Sequence, residues 1–290
     1  MNNSCNMNHK KYGEYIKTPL IDIEKSIIKK YRKHLWAPFC KAVKEFDLIK
    51  EGDCLAICIS GGKDSLLLAK IIQEYQKHGP IKFNVKYIAM DPGFNKINRE
   101  FLEKNCEYLK IPVNIIDSNI FDVVEEIAKD YPCYMCAKMR RGFLYSKASE
   151  LGCNKIVLGH HFNDVIETVL LNVLYAGNYM SMMPRIMATN YDNMELIRPL
   201  YFIEEERIIT WSKYTNLPFM DCGCKVAAGK ISSKRAEIKD LIKKLKQNFP
   251  NVDKSIFKST YNVNINTVIG WVEDGTKHSF LERFNSEEKK

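Results

Sequence analysis

Between residues 55 and 199 the chain alternates short apolar runs with longer stretches of helical periodicity, and few folds accommodate that rhythm. The runs Leu55–Ser60, Val85–Asp91, Val113–Asp117, Lys155–Gly159 and Leu196–Pro199 have the length and composition of strands. Between them, Ser65–His78, Asn98–Leu109, Arg140–Leu151 and Asp164–Ala176 carry the spacing of helices. Strand–helix alternation closes most simply through right-handed crossovers, which predicts an α/β fold with a doubly wound, mainly parallel sheet. Sheets of this kind take their ligands beyond the carboxyl ends of the strands. Motifs at those ends are therefore the functional candidates.

The flanking segments read differently. Residues 1–17 form a polar leader, and 18–50 an N-terminal helix with Ile27, Ile28, Tyr31, Leu35 and Phe39 at three- and four-residue steps. Residues 51–200 carry the sheet; 201–290 read as a C-terminal extension containing the basic helix Ser232–Phe249. The stretch NVNINTVIGWVEDGTKHSF yields no assignment. A chain of 290 residues, 46% hydrophobic and 27% charged, is ordinary globular material, which excludes a mostly disordered or fibrous protein. It has no apolar stretch of membrane-spanning length, and MNNSCNMNHKKYGEY lacks the apolar run of a signal peptide. A soluble, cytoplasmic protein without a membrane partner is expected. Lys and Arg total 44 against 35 Asp and Glu, and the resulting +9 suits a polyanionic partner. Ten cysteines in such a chain read as buried thiols, metal ligands or redox groups rather than as disulfides.

The most specific local signal is ISGGKDSL, residues 59–66, which follows a strand and opens a helix. Gly61 and Gly62 let the backbone approach a ligand closely, and the free N–H groups of the helix start converge on an anion. Ser60, Lys63 and Ser65 add hydroxyl donors and positive charge; Asp64 tolerates phosphates only with a cation such as Mg²⁺ between them. The spacing is not that of a Walker A loop. Ser60–Ser65 resembles the pyrophosphate loop of the PP-loop ATPases, which split ATP between its α- and β-phosphates and adenylate a carbonyl oxygen. The resemblance implies ATP on Ser60, Gly61, Gly62, Lys63, Asp64 and Ser65, with Mg²⁺. A second similar element, Leu158-Gly159-His160-His161-Phe162-Asn163-Asp164, implies that Gly159, His160 and His161 line the nucleotide site. It places Asp164 near the metal or the reacting group. Asp91 matches an acidic position of related enzymes.

Cys133 and Cys136 form a C-x-x-C behind Pro132, a residue suited to a first helical turn, with Asp130 as candidate N-cap. At i and i+3 they share a helix face, and Arg140 lies on the same stripe. The helix start and the nearby Lys138, Arg140 and Arg141 favour thiolates. The remaining ligand candidates are Cys222 and Cys224. Structural zinc, a redox dithiol and an iron–sulfur cluster all fit this spacing. Together with SGGKDS, however, the set resembles the tRNA 2-thiocytidine synthetase family, with similarity from about Ile27 to Ile269 that includes CAKMRRGFLY, LGHHFNDVIETVLLN and LIRPL.

That resemblance implies a [4Fe–4S] cluster on Cys133, Cys136 and a third cysteine, with Cys224 favoured over Cys222, and one iron open to a substrate atom. A C-x-C stands where the family often has C-x-x-C. Relatives that thiolate T-loop uridine carry extra zinc-binding cysteine pairs at their ends, whereas this chain has only Cys5 at its N-terminus and none after Cys224. The implied activity is ATP-dependent 2-thiolation of a cytidine in the tRNA anticodon loop, through an adenylated base, with release of AMP and pyrophosphate. Arg140 would position base or nucleotide, and a cysteine desulfurase or free sulfide would supply sulfur. A homodimer is among the assemblies allowed. An AMP-forming ligase, a thiolase for another base or small heterocycle, and an iron–sulfur or zinc redox sensor that binds nucleic acid are the alternatives.

Overall fold

A computed structural model describes residues 12–118, 120, 132–220 and 232–287. Leader residues 1–11, Asp130, Cys222 and Cys224 lie outside the described residues. The single long helix expected near the N-terminus is instead α1 (Leu20–Lys25) and α2 (Ala37–Glu45), joined by wide π-type turns over Ser26–Lys30 and Arg32–Trp36. Pro38 stands in the first turn of α2 and cannot donate to the helical ladder; its ring also crowds the carbonyl four residues earlier. Wider turns upstream relieve that crowding.

The strands β1 (Cys54–Cys58), β2 (Asn84–Asp91), β3 (Val113–Asp117) and β4 (Lys155–Val157) alternate with α3 (Lys63–His78), α4 (Lys96–Tyr108) and α5 (Pro132–Glu150). After β4 come α6 (Phe162–Leu171), β5 (Arg185–Met187), β6 (Glu195–Ile197), α7 (Glu205–Thr215) and α8 (Ser232–Asn248). The sheet order is β3-β2-β1-β4-β6-β5, parallel except for β5. Leu55, Ala56 and Ile57 of β1 are all buried, as a central parallel strand covered on both faces requires. The antiparallel β5 escapes sequence reading because it is short and carries no alternation. Arg185 secures it, bridging to both carboxylate oxygens of Glu195 on β6 at 2.6 and 2.8 Å.

Beneath the amino ends of the strands, buried Lys155 pairs with Asp53 at 2.9 Å and Glu195 at 3.3 Å and donates to the Leu48 carbonyl. This ties β1, β4 and β6 together away from the end where ligands bind. Residues 201–220 and 232–240, grouped on sequence with the C-terminal extension, belong to the first compact unit, with Trp211 of α7 fully buried. The second unit, 241–290, holds α9 (Val252–Ser259), the hairpin β7 (Gly270–Glu273) and β8 (Thr276–Ser279), and α10 (Phe280–Glu287). Asp274 and Gly275 both have positive φ, 49° and 78°, the mark of the tight hairpin turn that an Asp-Gly pair favours. That dipeptide was the available sequence signal for a hairpin in the unassigned stretch. No described helix is long and apolar enough to cross a membrane.

Candidate active site

From β1 the chain proceeds to β2 and β3 on one side of the sheet, then returns to place β4 and β6 on the other. The strand order reverses between β1 and β4, and a crevice opens beyond their carboxyl ends. Two loops line it. In the first, Ser65 Oγ donates to the Gly62 carbonyl (3.0 Å) and accepts from Ser60 N and Ser60 Oγ (3.1 Å each). The loop is thereby braced from within, and α3 begins at Lys63 with no side chain capping its N-terminus. Gly61 needs its glycine twice over: φ is +82°, and a Cβ would lie 2.2 Å from Met220 Sδ. Met220 N also donates to the Gly61 carbonyl at 3.2 Å, so the chain at Met220 is held against this loop.

The second loop, Gly159–His161, packs against the first backbone to backbone. A Cβ on Gly159 would stand 3.3 Å from the Asp64 carbonyl group and Ser65 N, which makes this the closest approach of the two loops that glycine permits. His161 N donates to Asp164 Oδ2 at 2.9 Å and so starts α6. The buried imidazole of His161 lies 3.3 Å from Asp164 Oδ2 and 3.9 Å from Asp64 Oδ1. Asp64 Oδ1 is buried and accepts no hydrogen bond from the described residues. A bare carboxylate oxygen costs free energy there unless a cation compensates it, so the site fits Mg²⁺.

Charges from later in the chain complete the crevice. Lys63 Nζ lies between Asp64 Oδ2 (3.2 Å) and Glu205 Oε1 (3.4 Å). From α8, Lys239 reaches Glu205 Oε2 at 2.5 Å, and Arg235 spans Glu167 at 2.9 Å and Asp164 Oδ1 at 3.3 Å. Burial pushes the Glu205 carboxyl up, but Lys239 and Lys63 outweigh it and hold the group below its usual range. Glu167, more deeply placed, is raised by burial despite Arg235. None of Glu205, Arg235 and Lys239 was legible as a site residue, since each reaches the loops only through the packing of α7 and α8.

Burial also pulls His160 down to about 4, against the opposing field of Asp164. The ring is neutral at pH 7, and its Nδ1 accepts from Arg198 Nε at 3.3 Å. The unfolded chain binds this proton near pH 6.5, the folded chain only near 4. Stability contributed above pH 6.5 is therefore lost as pH falls toward 4. His160→Gln should flatten the stability–pH profile across that window, as measured by urea unfolding; an unchanged slope would clear His160 as the cause.

Asp91 ends β2 beside the crevice, yet its oxygens are engaged. Oδ1 accepts from Gly93 N (2.9 Å) and Phe94 N (2.6 Å), and Oδ2 pairs with Arg99 at 2.7 Å. Burial raises its carboxyl, and these partners more than reverse the shift. The geometry makes Asp91 the closure of a turn. Helix α5 begins at Pro132, earlier than its periodicity announced, so positions 133 and 136 sit in its opening turns. Met135, Met139 and Phe143 pack on Met90 and Ile120, which sets the start of α5 against the carboxyl end of β2. The side chains of Cys133 and Cys136 are outside the described ones. Arg140 is half-buried on this helix and forms no hydrogen bond or ion pair with a described residue. The described cysteines Cys40, Cys54, Cys58, Cys106 and Cys153 are free thiols. Burial pushes Cys58, Cys106 and Cys153 up to about 12, so they serve poorly as thiolate ligands.

A family model described as a PP-loop domain matches residues 24–223. The chain is 33% identical over 237 residues to a tRNA-cytidine(32) 2-sulfurtransferase of Geobacter metallireducens, covering 81% of this chain and 91% of that one. To the protein of the same name from Pelobacter propionicus it is 34% identical over 226 residues, covering 77% and 83%. Among solved structures it resembles the U34-tRNA thiolase NcsA from Methanococcus maripaludis with its [4Fe-4S] cluster. That match has a TM-score of 0.64 and 24% identity, over 82% of this chain and 78% of that one, a likeness of fold.

Proposed function

This chain belongs to the PP-loop family and, within it, to the tRNA-cytidine(32) 2-sulfurtransferases, and from there we propose that it thiolates C2 of a tRNA cytidine at the expense of ATP. The observation that carries the reading is the meeting of two glycine loops at the sheet's reversal point, braced by Ser65 and bearing the bare oxygen of Asp64. The pyrophosphate of ATP rests on Ser60–Ser65, where unpaired N–H groups of α3 and Lys63 oppose its charge. Asp64 Oδ1 would hold Mg²⁺. The cytosine C2 oxygen attacks the α-phosphorus and pyrophosphate leaves. Hydrosulfide-level sulfur then attacks C2, the C2–O bond breaks, and AMP departs with that oxygen. No net oxidation occurs.

Cys133, Cys136 and Cys224 would hold a [4Fe–4S] cluster, the donor set that the family resemblance implies. Bound there, it would supply sulfide-level sulfur as the nucleophile. Asp164 and His161 hold the start of α6 against the phosphate loop, and Arg140, on the cysteine helix, faces base or nucleotide. Asp91 keeps the turn after β2 in shape. A cysteine desulfurase or free sulfide supplies sulfur in the cytoplasm, and a homodimer is compatible with this reading. The target base leaves its stack most readily from a single-stranded loop.

Anaerobic purification, a visible spectrum and iron and sulfide assays, followed by nucleoside analysis of tRNA incubated with MgATP and sulfide, test this reading. About four irons per chain and ATP-dependent 2-thiocytidine are expected. Zinc in place of iron, or adenylation without thiolation, would overturn it.

A further inference from the structure

Among the described residues, the buried Lys and Arg side chains have carboxylate partners, with one exception. Lys70 meets Glu24 at 2.6 Å, and Lys155 meets Asp53 and Glu195. Arg198, the residue that follows β6, is only 9% exposed and pairs with no carboxylate among the described residues. Its Nε donates to His160 Nδ1 at 3.3 Å and its Nη1 to the carbonyl of Met183. Both acceptors are neutral. They fix the plane of the guanidinium without cancelling its charge; burial disfavours that charge, Arg141 from the cysteine helix adds a like field, and Asp164, which makes no ion pair with it, opposes them from a distance. Sequestering an arginine this way is costly unless an anion visits it.

Its position says where the anion comes from. Arg198 is held by His160, the neighbour of the Gly159 that touches the phosphate loop, so it lies beyond the β4 and β6 ends of the same crevice. The phosphate loop already offers Lys63 and the α3 N-terminus to pyrophosphate, on the β1 side. We infer that Arg198 anchors a second anion subsite, which receives a phosphate ester: the α-phosphate of ATP or the backbone phosphate of the nucleotide being modified. Guanidinium suits either, since its planar fork matches two phosphate oxygens. The inference rests on the proposed activity only for the identity of these two esters.

The test uses the full-length chain, wild type, R198Q and R198K, with equilibrium binding of MgATP and of tRNA at several salt concentrations. R198Q should weaken one ligand about tenfold, the loss of one charged hydrogen-bonded contact, and R198K should recover part of it. If ATP suffers and tRNA does not, the ester is the α-phosphate. If tRNA suffers, its log K against log salt slope should flatten by roughly 0.7–0.9, one phosphate contact. Wild-type affinity for both ligands in R198Q, with only a lower Tm, would make Arg198 a structural pin and overturn the inference. A wild-type chain that bound no tRNA would defeat the proposed acceptor but not the subsite. For that case the Arg198 ¹⁵Nε resonance, identified by its absence in R198K, is titrated with inorganic phosphate: a shift sustains the subsite, and its absence refutes it.

Discussion

Cys136→Ala should abolish 2-thiocytidine formation and cluster retention while leaving ATP affinity unchanged. The separation follows from how α5 is held. Among its described side chains, Met135, Met139, Phe143 and Leu144 pack on Met90 and Ile120, and Leu144, Tyr145 and Ala148 join the core around Ala56, Ile88 and Ile156. The phosphate loop is braced independently, by Ser60, Gly62, Ser65 and Met220. Losing one thiolate therefore removes sulfur chemistry without loosening the nucleotide site. Iron content, nucleoside mass spectrometry and nucleotide binding on the same preparation check the three parts. Wild-type thiolation by an iron-bearing Cys136→Ala chain would sink the ligand assignment. The same assay on Cys222→Ser and Cys224→Ser should single out Cys224 as the cysteine whose loss empties the site.

Lys63→Met should produce the opposite defect, an intact cluster with pyrophosphate release slowed about 10²–10³-fold, the scale of removing one preorganised charge at a developing anion. The effect has two sources. One cation disappears from the loop, and the carboxylates it separates, Asp64 and Glu205, are left to repel the incoming phosphates. Adding Glu205→Gln to Lys63→Met should then recover part of the rate by removing half of that repulsion. Pyrophosphate release in single-turnover mixtures reads both variants. A double variant slower than the single one would show instead that Glu205 acts chiefly through Lys239, which it holds at 2.5 Å.

What could be read along the chain was whatever local physics writes locally. β1 and the second half of β2 announced themselves because strand segments buried on both faces are continuous apolar runs, and β1, β2 and β3 all lie within a residue or two of their expected bounds. The phosphate loop and the Gly159–Asp164 turn were visible because glycine, hydroxyl and charge gather at a helix start within one stretch of sequence. The edge strand β5 was not visible; three residues held by Arg185 and Glu195 leave no periodic trace. Asp91 was placed at the right strand end, but only the fold reveals that Gly93, Phe94 and Arg99 occupy its oxygens.

The sequence by itself thus determined the doubly wound sheet, the glycine loop that opens α3 and the cysteine pair that opens a helix. Tertiary structure alone decided which distant charges stand around them. Glu205 lies 142 positions from Lys63, Arg235 71 positions from Asp164, and Arg198 38 from His160. Periodicity carries no information over such separations. Electrostatic energies depend on distance in space, and those distances exist only once the sheet has reversed its strand order and drawn β6, α7 and α8 around the crevice.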